Sequence, residues 1–192
     1  IIKNGFYPKG GAVVNANIKK NILGYFDLLQ RGELENIFSF SMASKDLKKA
    51  NVAERQERAA LNLIGEKYAD VNIKKTLRYE DSICAGSGIL LVANFENTFL
   101  GFDVVGERGK ASETIGKESG LGLLKILNSN SSVDGFMLDQ ILPFLSYGNG
   151  GRFRFFEMTE HTKTNMEVIK KFLDVTFLIK GNTLEIHARA EN

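Results

Sequence analysis

The chain has 192 residues, 43% hydrophobic and 25% charged, with a formal net charge of +2 and a pI near 8.6. These values suit one large or two small globular domains and exclude disordered and fibrous classes. No stretch approaches the roughly 20 apolar residues of a membrane span, and so weak a positive charge does not by itself mark a nucleic-acid binder.

A single cysteine, Cys84, excludes an internal disulfide and fits a reducing, cytoplasmic compartment. One cysteine with two histidines, His161 and His187, cannot build a Cys/His zinc site. The opening Ile1-Ile2-Lys3 carries neither methionine nor a signal-peptide pattern, as expected of a piece of a longer protein.

In chain order, Asn4 to Gly11 is rich in turn residues, and Ala12 to Ile18 alternates as a strand does. Tyr25 to Gln30 is a short apolar run. Ile37 to Ala43 sets Phe38, Phe40 and Met42 against Ile37, Ser39 and Ser41, which predicts a strand. A helix is expected over Leu47–Tyr68, then strands over Val71–Tyr79, Gly88–Phe95 and Phe99–Gly106. The next helix is expected over Ser112–Leu127, with Ser112 as N-cap. Val133–Ser146 reads as a helix in which Pro143 predicts a kink or an early end. Arg152–Glu157 reads as a strand, Asn165–Leu173 as a helix, and Val175–Ile179 with Thr183–His187 as a closing hairpin, followed by a polar tail. This mixture is α+β, an open α/β sandwich. No low-complexity linker divides it, so any boundary is compact, as when a small domain is inserted into a larger one.

Thr164-Asn165-Met166-Glu167 has the form of a capping box, which places a helix start at Thr164 with His161 just before it. A helix N-terminus favours bound phosphate, and a neutral imidazole there can attack phosphorus. Spacing alone favours a solvated loop histidine instead. Asp139 and Gln140 interrupt an apolar helix between Leu138 and Ile141. They suit either a ligand, with Phe136 stacking on a base, or the solvent face. Arg108 and Lys110 lie in a strand-to-helix connection and could meet a phosphate, although a plain charged loop is the simpler reading. Arg152 and Arg154 share a strand face that could line a basic surface for RNA, although a plain exposed strand face is at least as good a reading. Gly116 to Gly122 lacks the Lys-Ser/Thr ending of a P-loop.

Six segments, in order, resemble the RNA 3′-terminal phosphate cyclases: Gly5 to Gly11 (GFYPKGG), Val52 to Arg55 (VAER), Gly86 to Ala93 (GSGILLVA), Val105 to Gly109 (VGERG), Leu138 to Leu145 (LDQILPFL), and His161 to Leu173 within EHTKTNMEVIKKFL. The resemblance implies βαβαββ repeats, each a four-stranded sheet with two helices on one face. It also implies a small α/β domain inserted from about Asp27 to about Gly116, flanked by residues 1–26 and 117–192. It implies ATP and an RNA 3′-phosphate end as substrates, a divalent metal (Mg or Mn), and a 2′,3′-cyclic phosphate product formed through adenylylated His161. Phe136 takes the adenine-stacking position, and Met137, Leu138, Asp139 and Gln140 fall in the ATP-binding stretch. No metal ligand is assigned in this chain, because the family's N-terminal repeats, which hold metal and phosphates, are not in it. The piece alone is therefore expected to be inactive, with the rest of the same protein as its partner. A non-catalytic branch of the family, engaged in ribosome biogenesis, lacks the nucleophilic histidine, so His161 favours the enzyme.

Overall fold

A computed structural model describes residues 1–19, 21 and 23–188. Its contacts divide the chain into two units, each with its own four-stranded sheet. The first comprises Ile1–Ile18, Leu34–Asn94 and Gly101–Leu127. The second takes in the described residues within Lys19–Glu33, Phe95–Leu100 and Asn128–Asn192. The polar tail expected beyond residue 188 lies outside the described residues.

Strands β2 (Leu34–Ser44), β3 (Asn72–Glu80), β4 (Ser87–Phe95) and β5 (Phe99–Val105) form a sheet in the order β3-β2-β4-β5, with β2 and β3 parallel, and all of it but Phe95, Phe99 and Leu100 belongs to the first unit. The period-two pattern decides the faces: Ile37, Ser39, Ser41 and Ala43 are buried, while Phe38, Phe40 and Met42 are half-buried on the other side. The single helix expected over Leu47–Tyr68 is interrupted. Lys45–Ala50 wind as a 3-10 helix, Asn51 adopts a left-handed backbone (φ 50°, ψ 42°), and α1 spans Val52–Gly65. Asparagine tolerates that region better than most residues, so the chain can turn there without glycine.

The buried side of α1 is partly polar. Gln56 Nε2 donates to Ser41 Oγ (2.9 Å) and Gly88 O (2.7 Å), and Glu57 Oε1 accepts from Ser39 Oγ (3.1 Å). Helix α2 (Ser112–Leu127) lies close against α1. A Cβ at Gly116 would stand 2.0 Å from the Gln56 carbonyl oxygen, and one at Gly120 would stand 3.0 Å from that of Ala60. The glycine-rich run therefore serves helix packing. Ser112, expected as a cap, is the first residue of α2 itself, and the Ala111 carbonyl accepts from Thr114 N and Ile115 N.

The boundary expected at Gly116 falls inside this continuous helix, so residues 117–127 go with the first unit. Ile1–Ile18 does too: Asn4 N donates to Glu80 Oε2 (3.0 Å), Cys84 Sγ donates to Phe6 O (3.0 Å), and the Phe6 ring occupies the space a Cβ on Gly86 would take. The strand expected over Ala12–Ile18 does not form, and Val13 makes only an isolated bridge to Lys3.

In the second unit β1 (Phe26–Leu28), β6 (Gly151–Arg154), β7 (Val175–Lys180) and β8 (Thr183–Ala188) form a sheet in the order β1-β6-β8-β7. β1 and β6 are parallel, and the other pairs are antiparallel. Helices α3 (Gly135–Tyr147) and α4 (Glu160–Ile169) share one core with it: Leu138, Leu142, Leu145, Met166 and Ile169 meet Phe153, Phe155, Leu184 and Ile186. Arg152 and His187 point the opposite way and are exposed, so both helices cover a single face. Among the described residues, no helix is long and apolar enough to cross a membrane.

Candidate functional site

Two segments singled out in the sequence become neighbours in the second unit. Asp134 caps α3, its Oδ1 accepting from Phe136 N (3.1 Å) and Met137 N (2.8 Å). Thr159 caps α4, its Oγ1 accepting from Thr162 N (3.1 Å). The strands of chain entering the two helices run side by side: Val133 and Phe155 form a parallel bridge, Phe156 N donates to Val133 O (3.0 Å), and Gly135 lies against Glu157. Two helix starts are thus presented at one edge, where backbone N–H groups and the positive dipole ends favour an anion.

His161 stands in the first turn of α4, exposed to solvent. The helix was expected to begin at Thr164. It begins at Glu160, four residues earlier, because Thr159 satisfies Thr162 N, while the Thr164 hydroxyl bonds back to Glu160 O (2.9 Å) and forms no cap. Phe136 and Met137 are 57% and 46% exposed in the first turn of α3. Asp139 is half-buried and Gln140 exposed. Leu138 is fully buried in the core, so its side chain packs and does not face a ligand.

Helix α3 runs through Pro143 to Tyr147. Pro143 has no N–H for the Asp139 carbonyl four residues back, and Asn165 Nδ2 from α4 donates to that oxygen instead (3.3 Å). Sequence reasoning missed Asp134, Thr159 and Asn165. The first two carried a readable signal, a cap residue just ahead of each helix. Asn165 did not, because its partner is created by a proline on another helix. The outer side of α3 carries Phe136, Gln140, Phe144 and Tyr147 at helical spacing, and Phe144 and Tyr147 are 63% and 80% exposed.

The other candidates lie elsewhere. Arg152 is paired with Asp27 across the parallel β1–β6 register (Nη2 to Oδ2, 2.8 Å), which holds the Asp27 carboxyl below its ordinary value. Phe153 between Arg152 and Arg154 is core. Arg108 and Lys110 border a cavity of about 500 Å³ in the first unit, with Lys110 Nζ engaged by Glu118 Oε2 (2.6 Å). Arg55, in the VAER segment, grips Glu113 with a two-pronged bond (2.7 and 2.8 Å), which pulls that carboxyl down to about 2. Among the described residues, no group of three or more His, Cys, Asp or Glu gathers as metal ligands, so the divalent ion implied by the family resemblance finds no ligand set there.

Residues 29–128 match the family described as RNA 3′-terminal phosphate cyclase (RTC), insert domain. The chain is also 38% identical over 182 residues to an RNA 3′-terminal phosphate cyclase of Saccharolobus islandicus, covering 94% of this chain and 52% of the relative. The protein of that name from Saccharolobus solfataricus is 37% identical over 182 residues, with the same coverage of both chains. That from Pyrococcus furiosus is 36% identical over 186 residues, covering 96% and 53%. The chain therefore spans about half the length of the curated relatives it matches.

Proposed function

The chain belongs to the RNA 3′-terminal phosphate cyclase family, and from that premise we propose that the protein uses ATP to convert an RNA 3′-phosphate into a 2′,3′-cyclic phosphate, with His161 carrying the adenylyl group. The observation that supports this reading is the solvent-exposed imidazole in the first turn of α4, a helix whose entering segment pairs with the segment that leads into α3.

A neutral ring nitrogen of His161 forms a bond to the α-phosphorus of ATP as the α–β anhydride bond breaks, and pyrophosphate leaves. An oxygen of the RNA 3′-phosphate then takes the adenylyl group, which frees the imidazole and creates an RNA–phosphate–AMP anhydride. The adjacent 2′-hydroxyl attacks the RNA phosphorus, loses its proton, and AMP departs. The activation is chemically needed, because a phosphate monoester has no good leaving group until AMP is attached. In this scheme Phe136 and Met137 offer an exposed apolar surface for the adenine, Asp139 accepts from a ribose hydroxyl, and Gln140 reaches the nucleotide from the same helix. Mg or Mn would neutralise phosphate charge when bound. The single free Cys84 accords with a cytoplasmic protein.

The test is incubation with labelled ATP and Mg²⁺ or Mn²⁺, for this chain and for a chimera that completes it with the N-terminal half of the Pyrococcus furiosus relative. The chimera should form an acid-labile, alkali-stable protein adduct that His161→Ala abolishes with little change in melting temperature. This chain alone should form none. A chimera that yields no adduct, or an adduct that survives His161→Ala, would favour a non-catalytic, RNA-binding member of the family.

A further inference from the structure

The sheet of the first unit has helices on one side only. Its other side carries Phe38, Phe40 and Met42 from β2, and Lys74, Thr76 and Arg78 from β3, paired in register as Phe38↔Lys74, Phe40↔Thr76 and Met42↔Arg78. Leu90 and Val92 of β4 continue it. The rings of Phe38 and Phe40 lie side by side, with centroids 6.1 Å apart and planes within 18°. Lys74 Nζ sits 5.2 Å from the Phe38 centroid. Lys74 and Arg78 enter no ion pair among the described residues, and four residues of strand set them about 13 Å apart. Ile1 and Asn4 border a hollow of about 250 Å³ at one end, next to Phe40 and Arg78. The acids nearby are peripheral: Glu80 closes β3 and accepts from Asn4 N, and Asp103 belongs to the far strand β5.

We propose that this uncovered sheet face binds single-stranded RNA, with bases laid on the Phe38–Phe40 platform and phosphates held by Lys74 and Arg78. The charge is complementary to a polyanion, and side-by-side aromatic rings on an open sheet suit unstacked bases. A duplex keeps its bases stacked inside, where the rings cannot reach them. The proposal rests on the cyclase reading for the class of ligand but not on the chemistry of His161, which belongs to the other unit.

Fluorescence anisotropy with a short labelled single-stranded RNA tests it, using the 192-residue chain at several salt concentrations. Lys74→Glu with Arg78→Glu should weaken binding at least about ten-fold at low salt and flatten the log–log salt dependence by about 1.4. Phe38→Leu with Phe40→Leu should weaken binding while leaving the salt slope unchanged. His161→Ala should bind RNA as the parent does, so a failure of the adenylylation chemistry and a failure of this face are separate results. Absence of RNA binding by the parent chain would overturn the proposal. So would unaltered affinity and slope in the Lys74/Arg78 variant, or equal competition by duplex RNA of the same sequence. The charged pair is exposed on an edge strand, so the outcome does not depend on the aromatic variant remaining folded.

Discussion

Pro143 and Asn165 complement one another across two helices. A proline inside a helix leaves the carbonyl four residues back without its donor, and here the Asn165 amide takes that place on Asp139. Asn165→Ala should therefore cost about 1 kcal/mol in denaturant unfolding, since it strands a half-buried carbonyl. In a Pro143→Ala background the restored backbone N–H can satisfy Asp139, and the same change should cost only a few tenths of a kcal/mol. Equal costs in the two backgrounds would show that the contact is incidental. Asp139 is itself the acceptor and His161 stands four residues before Asn165, so the link ties α3 to α4 close to both candidate residues.

At the scale of elements, the interface between α1 and its sheet contains a carboxyl that burial pushes above its ordinary value, Glu57, despite the hydrogen bond it receives from Ser39. A raised folded-state value means that folding favours the protonated form. That contribution is complete below the unfolded value and is lost as pH rises through the folded one. Glu57→Gln, which keeps an acceptor for Ser39, should therefore raise the melting temperature at pH 7, and the gain should vanish below about pH 4. Glu113 has the opposite sign: Arg55 depresses its carboxyl, so its contribution is present at neutral pH and fades as pH falls toward about 2.

The elements also show what the sequence could and could not announce. Strand β2 was legible because Ile37 to Ala43 alternate cleanly, and α2 was found at its expected bounds although Ser112 is its first residue and not its cap. The break at Asn51 was not, since a left-handed asparagine leaves no mark on hydrophobic period. The start of α4 was misplaced because two threonines compete as caps and only backbone geometry chooses Thr159. His161 was legible as a candidate through its motif, whereas the partnership of α3 with α4 depends on long-range pairing between Val133 and Phe155 that no local pattern encodes.

For the whole molecule, each sheet has one face covered by helices, and the two uncovered faces differ in kind. That of the first unit joins aromatic rings to Lys74 and Arg78, which enter no ion pair among the described residues. That of the second carries Arg152, already matched to Asp27. The two proposals fall on different units: the candidate nucleophile stands on a helix of one and the proposed RNA platform on the sheet of the other. The outer stripe of α3 has a practical outcome in the test tube. Oily side chains on a protein carrying only two net positive charges give neighbouring molecules little reason to stay apart, least of all near pH 8.6. Dynamic light scattering should find clusters that grow as the solution is concentrated at that pH and shrink when Phe144 is replaced by glutamate. Purification away from the isoelectric point should yield the clearer samples.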